Sequence, residues 1–345
     1  MQIKEDNHGK PGKPKKKIFE LPPEEKAELL KKMQAGVAAG NIDDIREMGH
    51  MYQTGELGPQ DDNEAFRLTK IAVDAGDDKA MVQIAPLYIL GLGCEKNYEI
   101  AFDYFKKANE MGNMKAPRYY GTHLELGIGT DINYQEAAKG YIAAMERGDI
   151  TGECQLGSLY ERGLGVIQDY EKAAELYEHS SERGDIIASS GWVALGNLYE
   201  TRTDGKADLK LAKEYYQKAA DCGHPDGCAG LLRMGHYNPH PWIAGHNFAL
   251  SILCYVSDLH ADPVYERAIH LACVQEQLVQ EYMKLMKKGD KDGAMAALTK
   301  SADLNYAKAL AILGQKYIDG SDVEKDATKG QEMIDRALAQ GYILQ

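Results

Sequence analysis

Two stretches of the sequence carry residue types that could do chemistry. The first is Cys222-x-His224-x3-Cys228-x7-His236, where thiolates and neutral imidazoles are of the kinds that bind zinc. It fits no paired CxxC motif. The repeat register also puts Cys222 at the end of one helix and Cys228 at the start of the next, which leaves tetrahedral convergence hard to reach. The expectation is therefore no cofactor and no metal, with Cys222, His224, Cys228 and His236 as the alternative reading, a metal protein or an enzyme. The second stretch is "LGSLYERGLGVIQDYEKA", residues 156–173, whose "GLGV" resembles the glycine-rich turns that hold phosphate at the start of a helix. Paired carboxylates at Asp43-Asp44 and Asp61-Asp62 fall at helix starts, where negative charge suits the helix dipole, and read as caps. No nucleophile–base constellation stands out, so no enzyme is expected.

The glycine loop recurs, and this removes the phosphate reading. "GLGCEKNYEIA" starts at Gly91, "GIGTDINYQEA" at Gly127 and "GLGVIQDYEKA" at Gly163, each 36 residues after the last. Ile84-Ala85, Tyr120-Gly121 and Leu156-Gly157 open these units, and Gly112, Gly148 and Gly184 close them. Met48-Gly49, Tyr52, Gly55 and Asp61 keep the register one unit earlier, and Leu195-Gly196, Tyr199 and Asp208 one unit later. A clean copy returns at Leu313-Gly314, Tyr317, Gly320 and Asp326. A nucleotide fingerprint occurs once, after a strand; tandem copies after helices mark a structural repeat.

Each unit reads as a helix A, a turn and a helix B. Leu156, Leu159 and Tyr160 share a stripe on one helix; Ala173, Leu176, Tyr177 and Ser180 share one on the next. Asp169 can cap helix B, and Gly184 suits a left-handed helix end. Glycines at 49, 121, 157, 196 and 314 lie inside helix A, where each costs roughly 0.5–1 kcal/mol relative to Ala. That cost makes sense if helix B approaches closer than a methyl group allows, against small residues such as Ala101, Ala137 and Ala173. Pro86 falls inside one helix A and predicts a kink.

Composition narrows the function. Net charge is −13, and residues 1–17 hold six Lys against Glu5 and Asp6, so the body is more acidic still. Such a body repels phosphate backbones, which argues against nucleic acid. No apolar run is long enough to span a bilayer, and the N-terminus has no signal-peptide core. The six cysteines are irregularly spaced and read as reduced thiols of a cytoplasmic protein.

With its "LGxxYxxGxGVxxDYxKA" pattern at 156–173, the sequence resembles Sel1-like repeat proteins, relatives of tetratricopeptide repeats. The resemblance implies an all-α, right-handed α/α superhelical solenoid of about eight helix-turn-helix repeats. Residues 1–20 read as a disordered basic tail and 21–40 as a capping helix. Five repeats fill 41–223, two degenerate repeats with a long Pro/His loop fill 224–305, and 306–345 form a C-terminal repeat and cap. The implied function is a non-catalytic scaffold or adaptor, monomeric or weakly oligomeric, that binds a protein or peptide. In such solenoids helix A lines the concave groove. The groove positions are then Arg46, His50 and Gln53; Gln83 and Ile89; Arg118, Tyr119, Thr122 and Glu125; Gln155, Ser158, Glu161 and Arg162; and Asn197 and Glu200. In the loop "HYNPHPWIAGH", Trp242 either docks on the groove or a partner, or packs within a decayed repeat.

Overall fold

The computed structural model describes residues 22–56, 59–184, 188–235 and 262–344, and among them sixteen α-helices and no strand. Helix α1 (Pro23–Ala38) leads into five hairpins: α2 (Ile42–Thr54) with α3 (Asp62–Asp74), α4 (Asp78–Leu90) with α5 (Tyr98–Glu110), α6 (Ala116–Leu126) with α7 (Tyr134–Glu146), α8 (Ile150–Arg162) with α9 (Tyr170–Ser181), and α10 (Ser189–Thr201) with α11 (Leu209–Asp221). Helix α12 (Pro225–Gly235) packs on α11. Then come α13 (Pro263–Lys288), α14 (Lys291–Asp303), and a last hairpin of α15 (Ala307–Asp319) and α16 (Ala327–Ala339). Even-numbered helices α2 to α10 are the A helices. Successive A helices touch (α6 with α8, α8 with α10), which places them on the inner radius of the solenoid.

The hairpin boundaries follow from local chemistry. Asp169 accepts the Lys172 amide at 2.9 Å, and Asp61, Asn97, Asn133 and Asp208 cap the other B helices in the same way. The carboxylate pairs are helix starts: Asp61 caps α3, while Asp43 and Asp44 follow the cap Asn41. Each Gly-x-Gly turns the corner between helices. Gly163 ends α8 in the left-handed region at φ 68°, and Gly165 follows at φ 69°. A Cβ on Gly165 would sit 2.2 Å from the Tyr134 carbonyl, so this glycine lets one turn nest on the start of the preceding B helix.

The glycine inside helix A answers to an aromatic ring. A Cβ on Gly157 would lie 2.7 Å from Tyr177 Cε1 and 3.3 Å from the Ala173 carbonyl. Gly121 stands in the same relation to Tyr141, and Gly196 to Tyr216. The small residues on helix B are therefore only part of the contact expected from the sequence. A tyrosine ring takes the space of the missing methyl.

Two helices depart from the simple repeat pattern. Helix α4 runs through Pro86 from Asp78 to Leu90 as one element. In the second degenerate unit, helix A is the 26-residue α13, twice the length of the A helices before it. The tail 1–20 and the loop with His236 and Trp242 lie outside the described residues.

Replacing Gly157 with Ala forces the Tyr177 ring outward, so G157A is expected to lose about 1–3 kcal/mol in equilibrium denaturation. Unchanged stability would mean that α8 and α9 do not meet there.

Candidate functional site

The A helices hold the polar side chains expected to face a partner, and many of them are paired within the protein. Arg46 is buried and pairs with Asp77, the N-cap of the next A helix, at 2.5 Å. Arg118 repeats the arrangement: its Nε donates to Asp149 at 2.8 Å, and Asp149 caps α8. These pairs staple consecutive repeats, and removing one partner of such a buried pair costs about 3–5 kcal/mol. The Arg118 guanidinium lies over the Tyr119 ring, which stacks on Phe105 at 4.9 Å. Arg118 and Tyr119 therefore belong to the packing between repeats.

Below them runs a seam of phenols and carboxylates. Tyr141 donates to Glu125 at 2.6 Å, Tyr177 to Glu161 at 2.8 Å, and Tyr216 to Glu200 at 2.8 Å. In each case the glutamate lies four residues after the helix-A glycine and the tyrosine sixteen after the glutamate. Burial pushes all three phenols well above their ordinary range, and the neighbouring carboxylates push them further. Arg162 reaches back to Glu125, and Arg233 to Glu200, so the seam crosses from repeat to repeat. Arg162 also bonds Ser158, and Gln155 donates to Thr122 at 3.2 Å.

The concave face is not open along its length. Helix α13 crosses it. At its start Asp262 is fully buried, caps the helix, and accepts from Lys96 at 2.8 Å and Tyr98 at 2.9 Å, both in or beside the α4–α5 turn. One turn on, Tyr265 donates to His123 Nε2 at 2.5 Å, while His123 Nδ1–H donates to the Ile128 carbonyl at 2.8 Å. Burial holds this imidazole down to about 4, so the ring stays neutral and can accept from the phenol. Ile269 and Cys273 pack with Ala85, Ile89, Ala101 and Phe105. At the far end Lys287 donates to the Thr203 carbonyl beyond α10. Behind α13, Lys308 of α15 donates to the Arg162 carbonyl, and the Tyr134 amide to the Gln340 carbonyl.

Where α13 passes α8 and α10 the fit is loose. A cavity of about 50 Å³ is bounded there by Glu161, Arg162, Asn197, Arg202, Glu276 and Lys308, among others. Four polar atoms of the A helices are buried with no partner in the protein: Gln83 Oε1, Arg118 Nη1, Gln155 Oε1 and Asn197 Nδ2. Burial raises the Glu161 carboxyl to about 7 against the favourable Tyr177 bond.

The open groove read from the sequence is thus corrected over its middle. Ile89, Thr122, Glu125, Gln155, Ser158, Glu161, Arg162 and Asn197 are buried by neighbouring repeats and by α13. His50, Gln53 and Gln83 stay half-buried, as does Glu200. The Tyr–Glu seam was missed because each pair joins two helices, although its sixteen-residue spacing is present in the sequence. In the Cys/His stretch, buried His224 faces Ser190 Oγ with Nε2 and the Asp226 amide with Nδ1; Cys222 points at the Gly184 carbonyl and Cys228 is exposed. Among the described residues no three His, Cys, Asp or Glu side chains could together hold a metal ion.

Stacked, capped hairpins of about 36 residues with glycine-bearing turns define a helical-repeat solenoid. The Sel1 repeat family matches the chain at 45–77, 78–113, 151–185, 193–224 and 307–342, and the chain is a Sel1-repeat protein. Residues 114–150, between two matched stretches, form the same hairpin as α6 and α7. A Sel1 repeat protein from Oxalobacter formigenes is 26% identical with a TM-score of 0.54, over 66% of this chain and 95% of that one. The protective antigen c5321 of uropathogenic Escherichia coli, which displays an SLR fold, is 23% identical with a TM-score of 0.51, over 90% of this chain and 77% of that one, and shows the fold alone. No curated protein matches the sequence.

The Glu161 environment sets a pH dependence. The unfolded carboxyl ionises near 4.5 while the folded one stays protonated to about 7, so the folded state binds the extra proton in that window. This group's contribution to stability falls as pH rises from about 4.5 to 7 and is level above. Relative to Glu161→Gln, wild type is expected to lose about 2–3 kcal/mol across that window in denaturant titrations at stepped pH. Parallel curves for the two proteins would contradict the burial.

Proposed function

We propose that the protein is a non-catalytic scaffold that holds a protein or peptide partner on the concave side of its A helices, without a cofactor. The observation that carries this reading is α13 itself: the concave face accepts a helix through an apolar patch at Ile269 and Cys273 flanked by directional bonds at Asp262, Tyr265 and Lys287. A surface that binds one segment in this way has the mixed chemistry of a protein-recognition site. The acidic body favours protein over nucleic acid as partner. No described helix is long and apolar enough to cross a membrane, and none of the five described cysteines forms a disulfide, which suits a reducing, cytoplasmic setting.

Cross-linking mass spectrometry of the full chain in its native cells tests this. Partner cross-links are expected to map to the A-helix side, and His50→Glu with Gln53→Glu to reduce capture at least tenfold without lowering the melting temperature. Lys139→Glu, on an exposed B-helix face, is expected to leave capture unchanged. Capture that responds to Lys139 and ignores the A helices would move the binding surface to the outside of the solenoid.

A further inference from the structure

The cavity between α8, α10 and α13 is lined by more hydrogen-bonding capacity than the protein uses. Asn197 of α10 is only 3% exposed; its Oδ1 accepts from Tyr216 at 2.6 Å, which orients the amide, and its Nδ2 has no partner. Buried donors are nearly always bonded, so this one calls for an acceptor inside the cavity. Lys308 of α15 is 6% exposed. Its ammonium donates to the Arg162 carbonyl at 3.0 Å and has the Glu276 carboxylate at 3.9 Å. One of its donors is used, and the others have no close acceptor among the described residues.

The acceptors are just as open. Glu276 of α13 takes a bond from Tyr306 on Oε2, which leaves Oε1 to Lys308 at that long separation. Glu161 accepts from Tyr177, and its carboxyl, raised to about 7 by burial, regains its charge readily beside a cation. Arg162 and Arg202 also line the cavity, but they are already paired, with Glu125 and with Glu171 and Asp204. A lone anion here would face two carboxyls, and a lone cation would face the ammonium. A molecule carrying one charge of each sign meets both sets. The volume of about 50 Å³ takes roughly three to five water-sized atoms, the size of the ammonium, Cα and carboxylate of an amino acid. Gln277 and Gln280 line the cavity and are half-buried, which leaves a side chain a way toward solvent between two amides.

We propose that this cavity binds a free α-amino acid, its carboxylate on Asn197 Nδ2 and Lys308 and its ammonium on Glu276 and Glu161. A peptide terminus carries only one of the two charges and meets only half of the site. The proposal is independent of the scaffold reading, since capture of a partner on the A helices can fail without touching it. The bound molecule joins α8 and α10 to α13 and α15, and so favours the folded state.

Ligand-observed NMR with the full-length protein tests this, using each of the twenty amino acids in turn and acetate, methylammonium and acetamide for comparison. At least one amino acid is expected to bind saturably with a Kd of about 1 mM or below, and all three fragments about tenfold more weakly or worse. Asn197→Asp keeps the acceptor for Tyr216 and sets a carboxylate against that of the ligand; it is expected to weaken binding by about tenfold or more. Lys308→Met keeps the length of the side chain without its charge and is expected to act in the same direction. Melting curves check that both variants fold. Should either fail to, a crystal structure of the wild type with the tightest amino acid takes its place, and is expected to show the head group between Asn197 and Glu276.

No saturable binding of any amino acid up to about 10 mM overturns the proposal. A fragment that binds as tightly as the best amino acid also overturns it, acetamide in favour of a neutral amide and either ion in favour of a singly charged ligand. Binding that survives both variants, or a head group found elsewhere in the crystal, puts the ligand outside this cavity and overturns it as well.

Discussion

The contact on which the structure depends is a tyrosine ring lying where a methyl group would be. Tyr177 rests against Gly157 and donates a hydrogen bond from its hydroxyl to Glu161, one turn beyond the glycine on α8. The glycine costs α8 some intrinsic stability, roughly 0.5–1 kcal/mol. In return a large ring is buried and a buried carboxylate is satisfied, and burying such a side chain is worth about 1.5–3 kcal/mol. Packing therefore outweighs propensity here. The same trio appears at Gly121, Glu125 and Tyr141 and at Gly196, Glu200 and Tyr216.

From that seam the inner surface follows. Glutamates drawn inward by the phenols become acceptors for arginines of the next repeat, as Glu125 does for Arg162 and Glu200 for Arg233. The arginine staples to N-cap aspartates also join consecutive repeats: Arg46 to Asp77 joins the first two, and Arg118 to Asp149 acts at the same joint as Arg162 with Glu125. A helix-A surface that looks like a polar binding face in sequence is thus largely committed to joining repeats. Between the staples the A helices leave apolar and carbonyl surface, and α13 lies on it.

Much of this was legible in the sequence because it is local. The repeat period, the Asp169 cap and the left-handed Gly163 depend on residues within a few positions of each other, and each stands where the pattern puts it. Residues 114–150 kept the register through Gly121 and Asn133 and fold as the same hairpin. Partners far apart in the chain were not legible. Glu161 reads as a solvated groove charge until Tyr177 is known to turn toward it. The role of α13 depends on contacts such as Tyr265 with His123, 142 residues apart, which no periodicity records. Its length was the available clue: Tyr265, Ile269 and Cys273 extend the apolar stripe of Val279 and Tyr282 backward by three turns, further than a repeat of this size needs.

The state of the buried phenols tests this account most directly. In a rapid pH-jump titration of tyrosine absorbance, Tyr141, Tyr177 and Tyr216 are expected to stay silent until the chain unfolds, along with Tyr265 and Tyr306, because burial holds all five phenols well above their ordinary range. Tyr177→Phe is expected to shrink the silent class by one ring. If all tyrosines ionise together in the folded protein, the rings do not fill the glycine seams, and the repeats are held together by something else.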